Sequence, residues 1–162
     1  MQILKWLVLA VAALVLAVLL AAQLGGFSGH APEHLGVRDG KLRAPSKTPN
    51  SVSSQAGLWP QHPMHEEARI APLPLRGDGP ATLARIRQIV EAMPGAKVVQ
   101  SRDDYLYVQF STRWMKFVDD AEFWFDPAAG VVQVRSASRV GRKDFGVNRE
   151  RIEAIRQALA KG

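Results

Sequence analysis

The chain has 162 residues, a formal charge of +6 and no cysteine, with an isoelectric point near 10.1. An apolar opening segment and a long irregular stretch leave only about 90 to 100 residues for a core, which excludes a multidomain protein. The missing cysteines exclude disulfides and thiolate metal sites, and the basic balance favours anionic partners such as phospholipid headgroups, anionic glycans or nucleic acid.

Residues 3–24, ILKWLVLAVAALVLAVLLAAQL, contain one charge, Lys5. At about 1.5 Å per helical residue they are long enough to cross the ~30 Å hydrocarbon layer. A cleaved signal peptide usually has a shorter apolar core behind a basic stretch, so residues 1–24 read as an uncleaved transmembrane anchor with Trp6 at the interface. The lipid bilayer is thus the first expected partner. Arg38, Lys41 and Arg43 outnumber the amine and Lys5, but residues 25–35 carry neither Lys nor Arg. Charge nearest the helix end weighs most, so the expected topology is single-pass in the cytoplasmic membrane of a bacterial envelope, with the C-terminal domain periplasmic.

Residues 25–68 are rich in Gly, Pro, Ser and His and sustain neither the strand nor the helix period. They read as a tether, at least partly disordered, that lets the domain stand off the membrane. Within it, PNSVSSQ at residues 49–55 offers Asn50, Ser51, Ser53 and Ser54 for hydrogen bonds to turn backbone. His30, His34, His62 and His65 also fall here, with Glu66 and Glu67 nearby. A Pro-rich linker lacks the ordered surroundings a closed metal site needs, so no metal is assigned.

Residues 69–162 form the expected α+β domain, an antiparallel β-meander of about four strands packed against two helices. It opens on residues 70–75, IAPLPL, a short edge strand limited by its prolines. Asp78, Gly79 and Pro80 then start a helix whose apolar stripe is Leu83, Ile86, Ile89, Val90 and Met93, and Pro94-Gly95 stops it. Strands follow at residues 96–102, 105–112, 121–126 and 131–139. Alternation assigns Leu106, Val108, Phe110, Ala121, Phe123, Phe125, Val132 and Val134 to the core face. Tyr107, Gln109, Glu122, Trp124, Gln133, Arg135 and Arg139 then point to a polar, aromatic-rich second face. The last helix is expected to start with Asn148 as N-cap, a Val147–Ile152 staple, and a stripe of Ile152, Ile155 and Leu159.

DDAEF at residues 119–123, RSASRVG at 135–141 and DFGVNRERIEAIR at 144–156 resemble the family called domain of unknown function 1499. The resemblance extends upstream through PNSVSSQ and IAPL, covering roughly residues 40–160. It implies a fold and no established activity. Many relatives carry a cysteine in the slot of Ser51 and another a few residues earlier; this chain has neither, so cysteine chemistry is absent.

Two constellations are candidates for chemistry. Arg135, Arg139 and Arg149, with Ser136, Ser138, Asp144 and Asn148 around them, present guanidinium forks and helix amides suited to a carboxylate or phosphate. Alternatively, Asp119, Asp120, Glu122 or Asp144 already occupies those arginines in an internal network, Glu122 lying opposite Arg135 across two strands. The leading expectation is a non-enzymatic, membrane-anchored extracytoplasmic domain that binds a partner or small anion on this face, without a cofactor. A hydrolase using Asp119, Asp120 or Glu122 is the first alternative. A purely structural envelope protein, docking a partner through Trp124 and Tyr107, is the second. Phosphate-loop, dinucleotide and zinc-protease motifs are missing, and scattered charge argues against nucleic acid.

Overall fold

Apolar residues alternate along four consecutive segments, and in the computed structural model, which describes residues 1–161, these segments pair as an antiparallel meander. The four strands, β3 (Ala96–Ser101), β4 (Tyr105–Ser111), β5 (Val118–Asp126) and β6 (Val131–Ser138), lie side by side in chain order. Phe123 stands between Leu106 and Val134, and Ala121 between Val108 and Ser136. Side chains of that parity share one face. Leu106, Val108, Phe110, Phe123, Val132 and Val134 are buried there against Ile86 and Val90 of α2 (Gly79–Glu91) and Ile152, Ile155 and Leu159 of α3 (Val147–Lys161). This is the core face that alternation assigns.

The helix boundaries have local causes. Asp78 caps α2 by accepting from the Ala81 amide at 2.7 Å, with proline in the first turn. Beyond α2, Gly95 turns the chain into β3 with φ +74°, and an added Cβ would stand 2.1 Å from the Ser111 carbonyl oxygen. Only glycine fits that corner. At α3 the expectation differs from the structure. Asn148 lies inside the helix, and the Asp144 carboxylate accepts from the Gly146 and Asn148 amides at 3.1 Å each. Val147 is exposed, so no staple forms.

The sheet has six strands rather than about four. β1 (Ser51–Ser53) and β2 (Leu73–Pro74) both pair antiparallel with β6, placing Val52 opposite Ser136 and Leu73 opposite Val132. β2 lies within the short edge strand expected at residues 70–75, whereas β1, in the expected tether, is too short to show a period.

The expected tether is also packed rather than free. The Gly36 amide donates to Glu122 Oε1 at 2.7 Å, Leu42 is buried against Tyr105 and Tyr107, and the Leu42 amide donates to Gln55 Oε1 at 2.8 Å. Residues 34–46 therefore form a strap across the second face of the sheet, and the folded body begins well upstream of residue 69. Tyr107, offered as a docking residue, lies beneath that strap, with Trp124 packed at its edge. Among the described residues, one helix, α1 (Gln2–Gln23), is long and apolar enough to cross a membrane.

Candidate functional site

Strand alternation splits the polar run into two separate networks, one on each face of the sheet. On the helix face, Arg151 Nη2 donates to Asp119 Oδ2 at 2.6 Å, and its guanidinium lies 4.5 Å over the Phe110 ring. Buried Asn148 forms the hub beside it. Its Oδ1 accepts from Ser136 Oγ and from Arg151 Nη1, and its Nδ2 donates to Ser138 Oγ at 3.0 Å and Asp144 Oδ2 at 2.9 Å. Burial pushes the Asp144 carboxyl up, but the hydrogen bonds from Asn148 and Gly146 outweigh it and hold the group below its usual range.

On the opposite face, Arg139 grips Asp120 with Nε and Nη2, both at 2.8 Å, while the Tyr107 hydroxyl donates to the same carboxylate. Arg139's own hydrogen bonding to Asp120 raises it above its ordinary value, and burial beside the carboxylate raises Tyr107. The pair is a closed, bidentate ion pair on a fully buried aspartate.

The neighbouring pair is looser. Glu122 Oε1 accepts from the Tyr105 hydroxyl and the Gly36 amide, each at 2.7 Å, which leaves Arg135 Nη1 at 3.9 Å from Oε2. Arg135 is only 4 % exposed, and its side chain makes one hydrogen bond among the described residues, from Nε to the Ala44 carbonyl at 3.2 Å. Burial lowers its pKa; Glu122 opposes that effect and nearby Arg43 adds to it. Among the described residues, four buried side-chain atoms lack a hydrogen-bond partner: Asn50 Oδ1, Trp59 Nε1, Glu122 Oε2 and Arg135 Nη1. A buried charged donor left unmatched costs about 1–3 kcal/mol or more.

Arg135 and Trp59 both line a cavity of about 660 Å³ bounded by the strap. Arg38, Lys41, Arg43 and Lys47 contribute further cationic side chains to its walls, and Asp39 is the one carboxylate among the lining residues. Lys41 Nζ lies 5.8 Å over the Trp59 ring. The space is therefore basic and aromatic on one side, and two of its lining residues carry buried N–H donors without a partner.

Of the residues singled out by sequence, Ser136, Ser138, Asp144 and Asn148 come together in the helix-face network, Arg139 closes onto Asp120 on the other face, and only Arg135 reaches the basic cavity. Arg149 stands apart and donates to the Glu67 carbonyl at 2.9 Å. The three residues do not converge, because Arg135 and Arg139 share one face while Arg149 lies on α3. Sequence reasoning missed Gly36, Leu42, Trp59 and the strap cations as site residues. The apolar Leu35, Val37 and Leu42 among Arg38, Lys41 and Arg43 were the available signal, an amphipathic pattern too short to stand out.

Comparison with curated proteins finds no match. A family match spans residues 41–159, from within the strap to the last turn of α3, and takes in all six strands and both domain helices. The family is described as a protein of unknown function, DUF1499, and this chain belongs to it.

Proposed function

We propose that this protein is a membrane-anchored, extracytoplasmic binding domain whose ligand is a small anion bearing a carboxylate or phosphate, held in the strap cavity against Arg135. The observation that carries this reading is the pair of orphaned donors, Arg135 Nη1 and Trp59 Nε1, on residues lining one cavity rich in Lys and Arg. An oxyanion beside Arg135 would supply an acceptor that its Nη1 lacks and offset the mutual repulsion of Arg135 and Arg43. α1 supports the anchor, and the lack of Lys and Arg just after it supports placement of the domain outside the cytoplasm.

The hydrolase alternative gains nothing from the carboxylates, since Arg151, Arg139 with Tyr107, and Tyr105 with Gly36 already engage Asp119, Asp120 and Glu122. Those same networks favour a structural role for the Asp119, Asp120 and Asn148 clusters, alongside binding at Arg135.

Thermal melts of the full chain in detergent micelles, with chloride replaced by phosphate, sulfate or acetate at constant ionic strength, test the proposal. Ligand at a hundredfold excess over Kd adds about 2.7 kcal/mol, enough to raise Tm by several degrees. The shift should shrink in Arg43→Ala/Lys47→Ala, which removes two exposed cations of the lining. Equal melting in every anion would count against the reading.

A further inference from the structure

Two loops carry large apolar side chains into solvent beside the end of α1. Residues 112–117, between β4 and β5, expose Trp114, and residues 140–146, between β6 and α3, leave Phe145 90 % exposed. Phe145 sits at φ +54° and Lys116 at φ +55°, left-handed conformations that cost energy for bulky residues and concentrate at functional sites. The loops are adjacent. Phe117 from the first and Val140 and Phe145 from the second, with Val147 at the start of α3, line a common apolar cavity of about 300 Å³.

Both loops are also fastened to the foot of the membrane helix. Gln23, the last residue of α1, donates from Nε2 to the Trp114 carbonyl at 3.0 Å, and the rings of Phe27 and Phe117 lie 6.1 Å apart. An added Cβ at Gly29 would stand 2.7 Å from Val140 Cγ2, so the chain leaving α1 runs directly against the second loop. Where a hydrocarbon-spanning helix ends, the headgroup layer begins. Aromatic side chains are enriched at that depth, and basic residues there meet anionic lipid. The charge matches: Arg113, Lys116, Arg142 and Lys143 belong to these loops, and their one carboxylate, Asp144, is turned inward onto the Gly146 and Asn148 amides.

We infer that these two loops rest on the bilayer surface, with Trp114 and Phe145 inserted at headgroup level and the four cations over anionic phospholipid. The domain is then held against the membrane by a second contact beside α1 instead of standing off on a flexible leash. This contact is independent of the strap cavity and its ligand.

Because the chain lacks cysteine, a single introduced cysteine carries one nitroxide label. Trp114→Cys, Phe145→Cys and, as a reference on β3, Val99→Cys would each be made in the full chain and reconstituted into phosphatidylcholine vesicles with and without phosphatidylglycerol. Labels at 114 and 145 should show a severalfold higher ratio of oxygen to nickel-chelate accessibility than the label at 99, and phosphatidylglycerol should widen the gap. Adding Arg142→Glu/Lys143→Glu should narrow it. Ratios at 114 and 145 equal to that at 99 in the anionic vesicles would overturn the inference, as would a gap indifferent to both phosphatidylglycerol and the charge reversal.

Discussion

Geometry ranks the arginines of the polar run. Arg139 holds a fully buried Asp120 with two 2.8 Å hydrogen bonds, whereas Arg135 reaches Glu122 only at 3.9 Å, and Glu122 keeps Tyr105 and Gly36 as partners without it. Removing one partner of a tight buried pair costs about 3–5 kcal/mol, and stranding a partly satisfied group costs ~1–3 kcal/mol. Arg139→Ala should therefore destabilise the protein more than Arg135→Ala, and the Arg139/Asp120 double-mutant cycle should show the larger coupling in urea melts. Equal costs would mean that Arg135 is bound as tightly as Arg139, which would weaken the case for a waiting ligand. Asp144 gives a pH signature. Its folded-state pKa lies below the ordinary 3.8, so its ionised form stabilises the fold at pH values above 3.8 and that contribution is lost as pH falls through the depressed value. The stability gap between wild type and Asp144→Asn should hold from neutrality to about pH 4 and close below it. A gap unchanged down to pH 2 in circular-dichroism melts would contradict the assignment.

At the level of elements, the long strands and both domain helices were legible because each repeats a period several times. Leu83, Ile86 and Val90 lie on the buried stripe that the spacing names, and Phe123 and Val134 on the buried sheet face. The strap was not legible, since its burial rests on isolated contacts: one leucine, one backbone amide to Glu122, and the Gln55 side chain accepting from Leu42 and donating to the Gly40 carbonyl at 3.0 Å. None leaves a period. Asn148 shows a different limit. Its type suits a helix cap, but three facing polar groups, Ser136, Ser138 and Asp144, recruit it as a buried hub instead. The strap makes a sharp prediction. Leu42→Ala, in a segment that composition reads as linker, should cost about 2–5 kcal/mol because it empties a buried site over Tyr105 and Tyr107. The variant should also become sensitive to protease between residues 34 and 46 where wild type resists. A change under half a kcal/mol, the usual range for a substitution in an exposed linker, would show that the segment is free.

Across the whole molecule, the basic composition was legible long before its location. The formal charge of +6 is not confined to one stretch of sequence, and only folding brings Arg38, Lys41, Arg43 and Lys47, in and just after the strap, together with Arg135 from β6. The sequence reading placed the anion site at the junction of the last strand and last helix, and it kept open an internal network there. The junction is a closed network, and the cavity proposed here for an anion lies instead across the sheet, under the segment whose composition reads as spacer. The central claim is that this cavity takes an anion through Arg135. Calorimetric titration of inorganic phosphate into the full chain in micelles tests it most directly, beside the charge-balanced Arg135→Gln/Glu122→Gln, which leaves no lone buried charge. Wild type should give saturable heat that weakens as salt is raised, and the double variant should give none while melting cooperatively. Equal heats from the two proteins, or none from wild type, would contradict the claim.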